Sequence, residues 1–317
     1  MRARQPVPEG LLRLAALQAG VVSREQALGT GFGAAGLIRL VRSGSWVRVS
    51  SGIYLTAPLP LDWPALAWAG VLIGGDAARL GGLSAAYLHQ LTSDPPAQLE
   101  VLVPTSAGPP TVTGPWYFRR ERDGVRSRAR PGSPPRLTVE DTVLDLIDDP
   151  DCDPRSAVNW LTGAVQGRKT TPERILRAAR GRHFVRQRAL LEDVLADVRD
   201  GVHSPIELDY LRNVERSHGL PVGRRQARRG NTEIDVVYDE FGLVVELDGR
   251  LGHTGMGRFR DMRRDNSATT DGLATLRYGQ ADVFGLPCEV ALEVATNLIR
   301  RGWTGFPTRC DHCLRAA

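Results

Sequence analysis

Apolar residues recur at helical spacing near the start of the chain. Leu11, Leu12, Leu14, Ala15 and Leu17 make a stripe between Pro8 and Gly20, which predicts a helix over 8–19. Ser23-Arg24-Glu25-Gln26 reads as a capping box, with the Ser23 hydroxyl taking an orphan amide and Gln26 reaching back, so a second helix starts there. Gly29, Gly31 and Gly33 break it, and a third helix is predicted over 34–42. Residues 46–49 and 53–55 then alternate around Ser50-Ser51-Gly52, a β-hairpin signal. Further along, 63–70 and 82–91 look helical, 99–104 looks like a strand and 137–147 like a helix. The Pro- and Gly-rich pieces 104–115 and 131–135 read as loops.

From residue 201 the pattern changes. Ser204-Pro205-Ile206-Glu207 has Ser as N-cap, Pro at the first position and Glu at the third, so a helix is expected through Leu208, Leu211 and Val214 to about 218. Strands are expected at 224–229, 232–238 and 243–249, with a turn at Asp239-Glu240-Phe241-Gly242. A polar helix over 257–270, a strand over 273–278 and a closing helix over 287–301 complete the order.

Composition narrows the function classes. The chain has 317 residues, 42% hydrophobic and 24% charged, which is ordinary globular composition. No apolar run approaches the ~20 residues of a membrane span, and residues 1–20 lack a signal-peptide core, so a cytoplasmic protein is expected. Net charge is +5, and of 41 basic residues only Lys169 is a lysine. Residues 1–60 carry Arg2, Arg4, Arg13, Arg24, Arg39, Arg42 and Arg48 against Glu9 and Glu25. A second arginine run at 119–136 is followed by an acidic stretch at 140–153, and a third basic run lies at 224–229. The 119–136 run reads as a solvated face. Basic segments near both ends point to phosphate neutralisation on DNA.

Three short helices and a hairpin within residues 1–60 describe a winged helix-turn-helix. In that geometry the third helix offers Arg39 and Arg42 to the major groove and the wing offers Arg48 to the backbone. Gly20-Val21-Val22-Ser23-Arg24-Glu25-Gln26-Ala27, Ile38-Arg39-Leu40-Val41-Arg42-Ser43-Gly44, Trp46-Val47-Arg48 and Gly52-Ile53-Tyr54-Leu55 resemble the winged-helix domain of AbiEi-type antitoxins. The resemblance implies a transcriptional autoregulator with DNA and a toxin-like protein as partners. A winged helix that serves as a protein-binding or purely structural module is the alternative.

Three carboxylates sit on the apolar strands of the C-terminal part. Asp235 interrupts one strand, and Glu246 and Asp248 lie two apart on the next, so they share a face. Like charges converging there repel unless a cation or arginines hold them, and oxygen-only ligands select Mg²⁺ or Mn²⁺. The segment 201–304 resembles the Vsr-like (very-short-patch-repair) endonucleases of the PD-(D/E)xK superfamily. The matching pieces are Ser204-Pro205-Ile206-Glu207 with Arg212, Glu233-Ile234-Asp235, Val245-Glu246-Leu247-Asp248-Gly249, His253, Asp261-Met262-Arg263-Arg264-Asp265-Asn266, Gly272 and Leu276-Arg277. The resemblance implies metal-dependent DNA hydrolysis with Asp235 and Glu246 as ligands of Mg²⁺ or Mn²⁺, Glu207 as a helix-borne third carboxylate, and Asp248 and His253 continuing the site. Arg225, Arg228 and Arg264 are the expected DNA contacts of this part. The superfamily lysine is replaced by Asp248, and His253 is its natural substitute. Glu207 is equally explained as a capping residue, and His253 as a structural histidine. Arginines satisfying the strand carboxylates would make a nuclease fold without catalysis.

The expected architecture is therefore α/β (α+β): a winged helix at 1–60, a mixed connector at 61–200, a restriction-endonuclease-like three-layer domain at 201–304 and a Cys-containing tail at 305–317. Cys310-Asp311-His312-Cys313 has the spacing of half a structural zinc site. No second such pair exists, so His312 with an outside ligand, or a partner chain, would be needed, and no metal is assigned.

Overall fold

A computed structural model describes residues 5–57, 60–122, 124–199, 204–229, 232–248, 273–310 and 313. The chain is a mixed α/β protein, consistent with the α+β class, and divides into two compact units. Unit 1 is Met1–Asp153 with Gly167–Gln187, and unit 2 is Pro154–Gln166 with Arg188–Ala317. Among the described residues, no helix is long and apolar enough to cross a membrane.

Unit 1 begins with α1 (Glu9–Leu17), β1 (Val21–Ser23), α2 (Arg24–Gly29), α3 (Ala34–Arg42), β2 (Val47–Ser50) and β3 (Ile53–Leu55). The capping box that starts α2 forms as the sequence requires: Gln26 N–H donates to Ser23 Oγ at 3.0 Å, and Ser23 N–H donates to Gln26 Oε1 at 2.9 Å. Strand β3 lies between β1 and β2, antiparallel to both. Leu11, Ala15, Val22, Ala27, Phe32, Leu37 and Trp46 close the core beneath the three helices. The strand β1 was not expected from the sequence, because three residues are too few to show alternation.

Helix α4 (Trp63–Gly74) is apolar nearly all round, and such a helix is stable only when covered on several sides. It shares one core with Val21, Ile53 and Leu55 of the first sheet and with Leu80, Leu99, Val101, Val103 and Trp116 of a second. That second sheet is β4 (Arg79–Leu80), β5 (Leu99–Pro104) and β6 (Trp116–Glu121), with β6 parallel to β5. Helix α5 (Gly82–Leu88) lies between β4 and β5 in the chain. Beyond the sheet, α6 (Val139–Ile147) packs against α5 and α8 (Pro172–Arg180), while α7 (Pro154–Gln166), between α6 and α8 in the chain, belongs to unit 2.

The basic run at 119–136 is only partly a solvated face. Arg119 donates to Glu100 at 2.6 Å and to Asp145 at 3.2 Å, and Arg126 binds Asp145 at 2.7 Å. Arg182 adds contacts to Asp141 and Asp145, both at 2.9 Å, and Arg79 pairs with Glu121. The acidic stretch that follows the basic run is thus its partner. Asp145 is 4% exposed and faces three guanidinium groups. Burial pushes the Glu100 carboxyl up, while Arg119 pulls it back.

Unit 2 pairs α7 with α9 (Arg188–Arg199). Helix α10 (Pro205–Asp209) continues as a π-helical segment, Tyr210–Arg216, where the Ser217 N–H reaches five residues back to the Arg212 carbonyl at 3.2 Å. Strands β7 (Arg224–Arg229), β8 (Thr232–Tyr238) and β9 (Leu243–Asp248) form an antiparallel meander, and β10 (Ala274–Gly279) adds parallel to β9. Helices α11 (Gln280–Gly285) and α12 (Pro287–Arg300) follow. One face of the sheet, with Val236, Tyr238, Val245 and Tyr278, packs on Ile206, Tyr210 and Val214 and on Val290, Val294 and Leu298 of α12. The helix expected over 257–270 lies outside the described residues.

Replacing Asp145 with Ala leaves Arg182 buried against a depleted acidic cluster. The expected loss of unit 1 stability is about 3–5 kcal/mol, the usual cost of breaking a buried ion pair. Asp151→Ala, at an exposed position, should leave the denaturant midpoint unchanged. Equal midpoints for the two variants would show that the network does not hold the unit.

Candidate functional site

The sheet of unit 2 brings two of the expected carboxylates together. The β8–β9 pairing runs from Tyr238↔Leu243 to Val236↔Val245, and the next residues along the two strands are Asp235 and Glu246. Asp235 takes the Leu247 N–H on Oδ2 at 2.7 Å, so its side chain holds the neighbouring strand where the regular register ends. Glu246 Oε2 accepts from Arg277 Nε at 2.9 Å, across the β9–β10 pair Arg277↔Glu246. Asp248 stands at the end of β9 opposite Gly279, and its side chain lies outside the description. His253 and Arg264 also fall outside the described residues.

Glu207 is 3% exposed and tightly bound. Its N–H meets Ser204 Oγ at 3.3 Å, its Oε1 accepts from the Ser204 hydroxyl at 2.8 Å, and its Oε2 accepts from Gln226 Nε2 at 2.9 Å. The carboxylate therefore ties α10 to β7 and also holds the Ser204 hydroxyl that caps the helix. Gln226 carries a left-handed backbone, φ +49°, and a side chain there seldom adopts it without a local reason. Sequence reading missed Gln226, because a polar residue within an arginine-rich strand gives no periodic signal.

The basic residues of β7 divide. Arg225 turns inward: its side chain is 7% exposed and binds Glu215, 2% exposed, at 2.7 Å. Its guanidinium also lies 5.7 Å from the Tyr210 ring. The expected DNA contact at Arg225 is thus corrected to an internal cation, because its charge is spent on Glu215. Glu215 is in turn bound by Tyr238 Oη at 2.9 Å and by the Gly223 N–H at 3.2 Å, and Tyr238 pairs with Tyr210 at 3.0 Å. Burial pushes the Glu215 carboxyl and both phenols up, while Arg225 opposes the shift at Glu215. Arg228 lies opposite Glu233 in the β7–β8 ladder, and its side chain is outside the description. Arg212, part of the expected motif, binds Asp197 of α9 at 2.7 and 2.9 Å.

In unit 1, Leu37 anchors α3 in the core, while Arg42 at its last turn is exposed. Arg39, half-buried on the same turn, donates to the Gln5 carbonyl at 2.9 Å. Arg48 is exposed on β2, with Nε 3.4 Å from the Ser50 carbonyl. Among the described residues, neither Arg42 nor Arg48 makes an ion pair. Residues 10–57 match the family model of the transcriptional regulator AbiEi antitoxin. The matched segment runs from the second residue of α1 through β3 and includes both exposed arginines and Arg39. It suggests DNA binding for this part of the chain. No curated protein matches the chain.

Two arginines adjacent on β7 give a contrast. Arg225→Met should destabilise unit 2 by about 3–5 kcal/mol, because Glu215 is left buried without its cation. Arg224→Ala removes only an exposed pair with Asp239 and should leave the unfolding midpoint in place. Chemical denaturation of the two variants checks this, and equal effects would contradict the burial of the Arg225–Glu215 pair.

Proposed function

We propose that the chain is a DNA-binding protein in which an AbiEi-like winged helix brings a metal-dependent endonuclease domain, unit 2, to DNA. DNA binding is carried by one observation: the AbiEi match at 10–57 covers the segment whose third helix and hairpin expose Arg42 and Arg48. In this reading α3 is the recognition helix, Arg39 and Arg42 enter the major groove, and the β2–β3 wing sets Arg48 on the backbone. The family description also extends the expectation of a toxin-like protein partner.

The nuclease reading of unit 2 is supported by sheet order and by the neighbouring positions of Asp235 and Glu246. A helix, an antiparallel meander and a fourth strand parallel to the third follow the order expected of the Vsr-like, restriction-endonuclease-like fold. Asp235 and Glu246 are hard oxygen donors that fit Mg²⁺ or Mn²⁺ and would hold such an ion. When bound, the ion polarises a scissile phosphate and lowers the pKa of an attacking water. The residues do the rest. Asp235 and Arg277 fix the geometry of β9 around Glu246, Glu207 locks α10 to β7 beside them, and His253 is assigned proton transfer on its sequence position.

A specific observation favours a second reading, a regulator with a nuclease fold and no catalysis. Leu247 N–H and Arg277 already engage the two carboxylates, as they would in a site kept for structure.

Two measurements test these readings. DNA affinity should fall steeply with salt, Arg48→Ala should lower the log–log salt slope by about 1, and Arg42→Ala should weaken binding and relax its sequence preference. Salt-insensitive binding would contradict both readings. Plasmid nicking should require Mg²⁺ or Mn²⁺ and vanish in Asp235→Asn and Glu246→Gln while DNA binding persists. His253→Ala should slow it by roughly 10²–10⁴-fold. No cleavage of plasmid, linear, mismatched or single-stranded DNA would leave the regulator.

A further inference from the structure

The C-terminal tail brings three cysteines and a histidine together from three places in unit 2. The Thr308 N–H donates to the His218 carbonyl at 2.8 Å, which carries the tail to the end of the first helix of the sheet domain. Cys310 Sγ then lies 3.6 Å from Cys288 Sγ and 3.7 Å from Cys313 Sγ, and Cys313 Sγ lies 3.6 Å from His218 Nε2. All four donor atoms fall within 4.8 Å of one another.

These separations have the dimensions of a coordination tetrahedron. With Zn–S near 2.3 Å and Zn–N near 2.05 Å, tetrahedral edges are about 3.8 Å for S···S and about 3.6 Å for S···N. A disulfide would need about 2.05 Å between sulfurs, and none of the pairs approaches it.

The surroundings prepare the donors for a metal. His218 is 3% exposed, and its Nδ1 stands 3.1 Å from the Val214 carbonyl. A carbonyl only accepts, so Nδ1 carries the proton and the Nε2 lone pair faces Cys313, the arrangement usual for a ligating imidazole. The Cys313 N–H donates to Cys310 Sγ at 3.5 Å, which favours a thiolate at Cys310. Cys288 is the second residue of α12, after Pro287, where the helix dipole also favours a thiolate.

We propose that Cys288, Cys310, Cys313 and His218 bind one Zn²⁺ in a closed Cys3His site that fastens the C-terminal tail to the body of unit 2. Three thiol protons leave to solvent as three Zn–S bonds form, and His218 Nε2 supplies the fourth ligand. Four protein ligands leave no open position, so the ion is structural and takes no part in hydrolysis. Soft sulfur donors also separate it chemically from the hard oxygen donors Asp235 and Glu246. The sequence motif offered Cys310, Cys313 and His312; His312 lies outside the described residues, and His218 and Cys288 complete the set.

Untagged full-length protein, purified from reducing cytosol without chelator, should carry about one zinc per chain by elemental analysis. Cys310→Ser with Cys313→Ser should lose it, and Cys152→Ser, a change in unit 1, should keep it. Should the double variant fail to fold, wild type alone still decides the matter. Cobalt exchanged into it should show the visible absorption of tetrahedral thiolate ligation. Alkylation mapped by mass spectrometry should label Cys152 and spare the other three until zinc is removed. The proposal is overturned by wild type without zinc, by zinc that persists in the double variant, by wild type lacking the cobalt signature, by all four cysteines labelling alike, or by a peptide map showing a disulfide among Cys288, Cys310 and Cys313.

Discussion

Each unit depends on carrying carboxylates into its interior and meeting them there with arginine. Asp145 is the extreme case: a nearly fully buried charge is tolerable because Arg119, Arg126 and Arg182 surround it. Through that one residue β6, α6 and the segment after α8 are tied together. Unit 2 repeats the device with Glu215 and Arg225 under the sheet and with Asp197 held by Arg212 and Arg216. Arginine suits the task, because its fixed fork satisfies two oxygens at once and it keeps its charge when desolvated. A chain with one lysine among 41 basic residues is well supplied for it.

The same device changes what the positive charge means. Runs of arginine at 119–136 and 224–229 look alike in the sequence, yet both divide between inward and outward members. Arg119, Arg126 and Arg225 are consumed by carboxylates, whereas Arg42 and Arg48 of the AbiEi-matching segment remain on the surface. Electrostatic attraction for a phosphate backbone belongs to the second kind only. Net charge therefore overstates the surface available to nucleic acid, and the position of each arginine in its unit decides its role.

In the sheet of unit 2 the proposed cation would compete with internal partners. Asp235 binds a backbone N–H and Glu246 an arginine, and each bond both orients the oxygen and lowers its need for metal. At the tail the balance is different. Three sulfurs and an imidazole nitrogen crowd within 4.8 Å of one another there, soft donors that the proposed Zn²⁺ would hold where an arginine could not.

Local chemistry alone determined the elements with strong end signals. The capping box at Ser23, the N-cap at Ser204, the apolar stripe of α1 and the alternation of β8 and β9 depend on neighbours a few residues away, so they are legible in order. The strand β6 was not, since its arginines mask the inward Trp116, and neither were α7, α8 and α9, whose polar surfaces blur the period. Only the tertiary structure decided that α7 joins unit 2, that Arg225 faces inward, and that His218 and Cys313, 95 residues apart, face each other. Those are choices of partner between distant segments. They follow from how helices and sheet pack to bury their apolar faces, and local periodicity carries no record of them.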